Sequence, residues 1–205
     1  SYQYAVLKSG DISIIDYSGS ESVINLTSLD LGGTITQIGG YAFANTTITS
    51  ITLPSSLTLI HQYAFANSQI QAITIPANVE FIGKYAFYNT PMETAVFEAN
   101  SKLSKIEQYA FANTAQLTTI TLPASLLSIE KAAFMNSGMT TVNLEALSIV
   151  EIPEMAFYGS ALTSVTIPNS VNLINHNAFR DCLNLKTVNF GTAADLQIMS
   201  NVFYN

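Results

Sequence analysis

One dipeptide recurs along this chain at nearly constant intervals: Ala42-Phe43, Ala64-Phe65, Ala86-Phe87, Ala110-Phe111, Ala133-Phe134, Ala156-Phe157 and Ala178-Phe179, with Val202-Phe203 as a final variant. Successive phenylalanines lie 22, 22, 24, 23, 23, 22 and 24 residues apart. Self-similarity at a fixed period of roughly 20 to 50 residues marks stacked repeats, in which each unit buries its apolar side on the next. That single feature excludes most compact folds.

The units carry more than the phenylalanine. Leu26, Leu29 and Leu31 align with Ile48, Ile51 and Leu53, with Ile70, Ile73 and Ile75, and so on to Leu185, Val188 and Phe190. Within each triplet the alternation Ile-Thr-Leu has the period of two expected of a short strand with one buried face. Pro54, Pro76, Pro123 and Pro168 then end the strand, because proline cannot donate to a ladder. An isoleucine follows at 38, 60, 82, 106, 129, 152, 174 and 198, five residues before each phenylalanine. Ile35, Leu57, Val79, Leu126 and Val171 supply further inward contacts on this return path, and a short helical turn is expected at Tyr-Ala-Phe. Two residues after each phenylalanine stands Asn, Gly or Asp, types that tolerate left-handed backbone. The next residue is small: Thr46, Ser68, Thr90, Thr114, Ser137, Ser160 or Cys182. Cys182 thus reads as a repeat-position residue, with a reactive thiol as the alternative.

A period of 22 to 24 lies within the leucine-rich-repeat range of roughly 20 to 29 residues. The expected fold is an α/β solenoid, a right-handed leucine-rich-repeat superhelix with a parallel β-sheet on its concave face. Residues 1–24 lack the template. Tyr2 to Lys8 and Ile12 to Tyr17 flank Ser9-Gly10-Asp11 and read as an N-terminal β-hairpin cap. Residues 25–205 form about eight repeats, and an ending inside a motif at Phe203-Tyr204-Asn205 suggests a piece of a longer protein or a degenerate last unit.

Hydrophobic residues make up 48% and charged residues only 10%, so Ser, Thr, Asn and Gln must supply the polar surface. No Asp, Glu, Lys or Arg occurs between Asp30 and Glu80, yet no apolar run there approaches the roughly 20 residues of a membrane span. A net charge of −7 without a Lys/Arg cluster argues against nucleic acid and against an anionic membrane.

A repeat of this form, as in Ala64-Phe65 followed by Ser68, Ile70, Ile73, Ile75 and Pro76, or Ala178-Phe179 followed by Cys182 and Leu185, resembles the BspA-like (Treponema pallidum-type) leucine-rich repeats over essentially the whole chain. Tyr17-Ser18-Gly19 is similar to the turn that closes that family's hairpin cap. The resemblance implies a secreted or surface-anchored, non-enzymatic domain, in several cases an adhesin for matrix proteins or other cells. The family's cysteine is Ser or Thr in most copies here, and no binding residues carry over because the family has no fixed ones.

Two surfaces are candidates for binding an extracellular protein or glycan. Strand residues pointing away from the core, among them Thr52, Thr74, Thr119, Thr121, Thr141, Asn143, Thr166 and Asn189, make a ladder of short polar groups on the expected concave face. Thr also stacks well in sheets, so the ladder can equally be architectural. An ice-binding role fits poorly, because the expected curvature and the strand-ending prolines disagree with a flat face. Tyr41, Tyr63, Tyr85 and Tyr109 form a stripe two places before the phenylalanine, either shielding the coil edge or offering an aromatic flank. Ala132, Met155, Asn177 and Asn201 replace them in the second half.

Catalysis has little support. His61 and His176 occupy different repeat positions far apart, and no nucleophile or phosphate motif occurs. Glu107, Glu130 and Glu154 stack in successive repeats and could hold a hard cation, but Lys105 and Lys131 beside them suggest a mixed-charge flank. The expectation is a non-enzymatic monomer with no cofactor and no metal, with a ligand-free spacer as the alternative.

Overall fold

The computed structural model describes residues 1–205 as a stack of short coils with two rows of parallel strands. The first row holds the Ile-Thr-Leu segments except in the first coil, where Val23–Asn25 is the strand, Ile24 takes the place opposite Ile51, and Leu26–Ser28, aligned by sequence with Ile48–Ser50, is a 3₁₀ turn. Val23–Asn25, Ser50–Thr52, Ala72–Ile75 and Thr94–Phe97 form one sheet, and Ser164–Thr166 pairs with Thr187–Asn189 in another. We call this side the front.

The second row lies on the return path, whose inward contacts follow from the sequence while its conformation, helical, 3₁₀ or extended, is left open by the pattern. Ile35–Ile38, Leu59–Ile60, Phe81–Ile82, Lys105–Ile106 and Ser128–Ile129 are hydrogen-bonded in parallel, and Glu151–Ile152, Leu173–Ile174 and Gln197–Ile198 continue as a separate sheet. At the start of the chain Tyr2–Val6 pairs antiparallel with Ile12–Tyr17, which in turn pairs in parallel with Ile35–Ile38.

The expected helical component does not form. The only helical elements are two single 3₁₀ turns, Leu26–Ser28 and Leu144–Ala146. At the Tyr-Ala-Phe corners the chain instead makes a non-helical turn with left-handed backbone on either side of the phenylalanine, as at Tyr41 (φ 62°) and Asn45 (φ 58°). The reason is hydrogen bonding between coils. With this alternation the N–H groups of Tyr41, Phe43 and Asn45 all reach the carbonyls of Gln62, Ala64 and Ala66 in the following coil. A helical corner would spend those donors within its own coil. The same pattern repeats at Tyr63, Phe65 and Asn67.

Inside, the phenylalanines form one column. Phe43, Phe65, Phe87, Phe111, Phe134, Phe157 and Phe179 are fully buried, and neighbouring ring centres lie 5.1–5.6 Å apart. Tyr17 and Tyr2 extend the column into the hairpin at 5.6 and 5.0 Å, and Phe203 extends it at the other end. Burying each ring contributes about 1.5–3 kcal/mol, so the column is a main source of stability. Three of the small residues after the corner tie it down: Thr46, Thr90 and Thr114 donate to the carbonyls of Phe43, Phe87 and Phe111 at 2.7–2.9 Å.

Candidate binding surfaces

The front row places the predicted hydroxyl ladder outward. Thr52, Thr74, Thr119, Thr121, Thr141 and Asn189 are exposed and Thr166 is half-buried, while their neighbours Ile51, Ile73, Ile120, Val142 and Val165 face the core. Most of these alternations therefore split between solvent and interior, with Thr166 and Val188 partly buried.

Asn143 is different. Its side-chain amide accepts a hydrogen bond from the Leu122 N–H at 2.9 Å and donates to the Leu122 carbonyl at 3.0 Å. It stands in for a strand's backbone, because Asn143 itself (φ −89°, ψ 51°) has left the extended conformation ahead of the 3₁₀ turn. Its polar atoms are thus committed to the fold and are not offered outward.

The ladder is also broken. No strand forms between Phe97 and Ser164 on the front, although Thr119, Thr121 and Thr141 sit in register with it by sequence. Ala95 stands where other coils have Ile, Leu or Val, Glu98 where four have proline, and the phenylalanine spacing lengthens to 24. These departures were readable in the sequence, but not their joint effect.

The four tyrosines do stack. Tyr41, Tyr63, Tyr85 and Tyr109 have ring centres 4.7 Å apart and planes within 5° of parallel. Their faces cover one another, so the stripe presents hydroxyls and ring edges, whereas a sugar-stacking platform needs free faces. Burial, then the neighbouring phenols Tyr109, Tyr63 and Tyr88, raise the Tyr85 hydroxyl above its ordinary range. Tyr88, missed in the sequence reading, packs edge-on against Tyr85 at 5.3 Å and accepts a hydrogen bond from Asn113.

The charged and titratable groups are dispersed. Lys105 pairs with Glu130 at 3.3 Å and Lys131 with Glu154 at 3.1 Å, and Glu107 accepts the Lys84 N–H, so the three carboxylates do not converge. The hydrogen bond from Lys131 to Glu154 raises the lysine above its usual range. His61 bonds Gln37 and His176 bonds Ser200, on different coils. Burial lowers His61 below its ordinary value, against a smaller opposing pull from Glu107. The Cys182 thiol is buried, hydrogen-bonded to the Phe157 carbonyl at 3.0 Å, and pushed up by desolvation, the opposite of an activated nucleophile. No group of three or more His, Cys, Asp or Glu is arranged to hold a metal ion. No helix is long and apolar enough to cross a membrane.

A stack of 22–24-residue coils with a front strand in most of them, a continuous aromatic column and return segments almost free of helix defines a leucine-rich-repeat solenoid. Residues 5–103 and 82–205 match the BspA type leucine rich repeat region, in six copies, and the chain belongs to that family. Among solved structures, the pneumococcal vaccine antigen PcpA superposes with a TM-score of 0.61 at 16% identity, over 94% of this chain and 68% of that one. The T. pallidum leucine rich repeat protein TpLRR superposes with a TM-score of 0.62 at 20% identity, over 92% and 78%. At such identities these likenesses speak for the fold. No curated protein matches the chain.

Proposed function

We propose that this is a secreted or cell-surface domain that binds an extracellular protein or glycan, in adhesion, through its front hydroxyl ladder and the tyrosine flank. In this reading the superhelix is right-handed, the front row lies on the concave side where solenoids bind their partners, and the hairpin of residues 1–24 is its cap. The observation that carries the proposal is the row of exposed Thr52, Thr74, Thr119, Thr121 and Thr141 in a stretch poor in charge. Short hydroxyls offer hydrogen bonds with little side-chain entropy to lose on binding. Membership of a family that resembles surface proteins, and the pneumococcal antigen among its structural neighbours, support an extracellular setting. Covered tyrosine faces favour protein over glycan. Nothing in the dispersed titratable groups recommends catalysis.

The test is capture of purified matrix proteins, beside a glycan array, by wild type and by a variant carrying Thr52→Arg, Thr74→Arg and Thr141→Arg. Capture by wild type and not by the folded variant is the expected result. Absence of capture by either favours a ligand-free spacer.

A further inference from the structure

The front of the molecule parts between the coils of Phe87 and Phe111. Thr94–Phe97 is the last strand of its sheet. The Thr94 N–H donates to Gln71 and the Glu98 N–H to Ile75, so residues 94, 96 and 98 turn toward the preceding coil. Alternation along a parallel ladder then leaves the N–H and carbonyl of Ala95 and Phe97 on the outer edge. Opposite that edge, Thr119, Ile120 and Thr121 take part in no backbone hydrogen bond. Between the two lies a cleft of about 480 Å³ lined by residues 93–101 and 119–125.

The rest of the structure agrees with a local opening. Phe87 and Phe111 are tilted by 20°, against 10° or less for every other neighbouring phenylalanine pair of the column. At the back Phe81–Ile82 and Lys105–Ile106 remain paired, so the coils splay only in front. The next break, between Leu122 and Asn143, is sealed by the Asn143 amide. Here a side-chain bond between the two coils lies at the far end, from the Ser125 hydroxyl to the Leu103 carbonyl at 2.7 Å, and none joins Thr94–Phe97 to residues 119–122.

Unpaired strand edges recruit strands. Glu93 and Glu98 stand at the two ends of Thr94–Phe97, both exposed, Glu98 with one oxygen accepting the Ala77 N–H of the preceding coil at 3.0 Å, and no Lys or Arg lines the cleft. Val96, 49% exposed, adds an apolar contact at its centre. We propose that this cleft captures an extended, basic peptide segment of a partner protein, which adds as a strand to the free edge of Thr94–Phe97. The inference rests on the reading of the front as a protein-binding surface and specifies where and how one partner engages it.

The experiment pans a phage-displayed library of random peptides on the full chain and measures the enriched peptides by fluorescence anisotropy. Enriched peptides are expected to alternate Lys or Arg with other residues and to lose binding when alternate backbone nitrogens are methylated. Ala95→Pro deletes an N–H that the existing ladder does not use, a position where an edge strand tolerates proline. It should weaken binding about tenfold, since a carbonyl of the peptide is left unpaired. Glu93→Lys, an exposed change that leaves packing intact, should weaken it several-fold. If Ala95→Pro does not fold, Glu93→Lys and the methylated peptides decide. Failure of any peptide to enrich, enrichment of acidic peptides, or equal binding to wild type and both variants overturns the proposal. So does concentration-dependent self-association that Ala95→Pro abolishes, which would give the edge to a second copy. Peptide binding unaffected by these variants, with matrix capture still lost in the triple arginine variant, would sink this inference and leave the broader function standing.

Discussion

Replacing Asn143 tests whether a side chain closes the gap in the front row. Its amide makes two hydrogen bonds, at 2.9 and 3.0 Å, to the N–H and carbonyl of a single residue, Leu122, whose side chain is 2% exposed. A typical hydrogen bond contributes about 1 kcal/mol net, and leaving a buried partner unsatisfied costs about 1–3 kcal/mol. Asn143→Ala is therefore expected to cost about 2–4 kcal/mol, with the low end applying where water reaches the vacated groups. Asn143→Asp separates the two bonds. A carboxylate still accepts from the Leu122 N–H but opposes the carbonyl, so at neutral pH the variant should be about as unstable as the alanine one and should recover in acid, where a protonated carboxyl can donate. Urea denaturation followed by circular dichroism at neutral and acidic pH measures both. Losses within about 0.5 kcal/mol of wild type for either variant, the range of ordinary surface changes, would refute the reasoning.

Two further outcomes follow from the column and from the back row. Phe111→Ala, with a stacked ring on each side, should cost about 3–5 kcal/mol, while Phe203→Ala, half-buried with a stacked ring on one side only, should cost about 1–2 kcal/mol; equal losses in thermal unfolding would contradict a single stack. Because burial holds His61 below its ordinary 6.5, the unfolded chain takes up that proton first as the pH falls. Stability should therefore decline on acidification through that value, and His61→Gln should decline less over the same interval when urea midpoints are compared.

The column was legible because phenylalanine at a fixed interval has one efficient use, burial against its own copies. The buried side of the inner Ile-Thr-Leu alternations was legible for the same reason, since period two assigns each residue to a face, but not that of the end units, where Leu29, Leu31 and Val188 are only partly buried and Phe190 is exposed. The corners were not. Asn45 and its equivalents announced left-handed backbone, but Tyr41, Tyr63, Tyr85, Tyr109, Ala132 and Met155 adopt it as well, against their own preference. What forces them is the set of inter-coil hydrogen bonds, which no local pattern reveals. The second row of strands escaped for a related reason: Leu59–Ile60 or Glu151–Ile152 is two residues long and is a strand only because the neighbouring coil pairs with it. On the candidate surfaces, exposure of the threonines followed from alternation, whereas the committed amide of Asn143 and the cleft beside Thr94–Phe97 arise from small irregularities. Ala95, Glu98 and two extra residues each read as tolerable variation, and only stacking turns them into an opening.

Amide hydrogen exchange by NMR reads the stacking residue by residue and tests the central claim, one continuous stack that is closed at its corners and open in front beside Thr94–Phe97. Phe65, Phe87, Phe111, Phe134 and Phe157, whose N–H groups each donate to the following coil, should exchange slowly, and Ala95, Phe97, Thr119 and Thr121 should exchange quickly. Slow exchange at those last four amides, or fast exchange at the phenylalanines, would contradict the account.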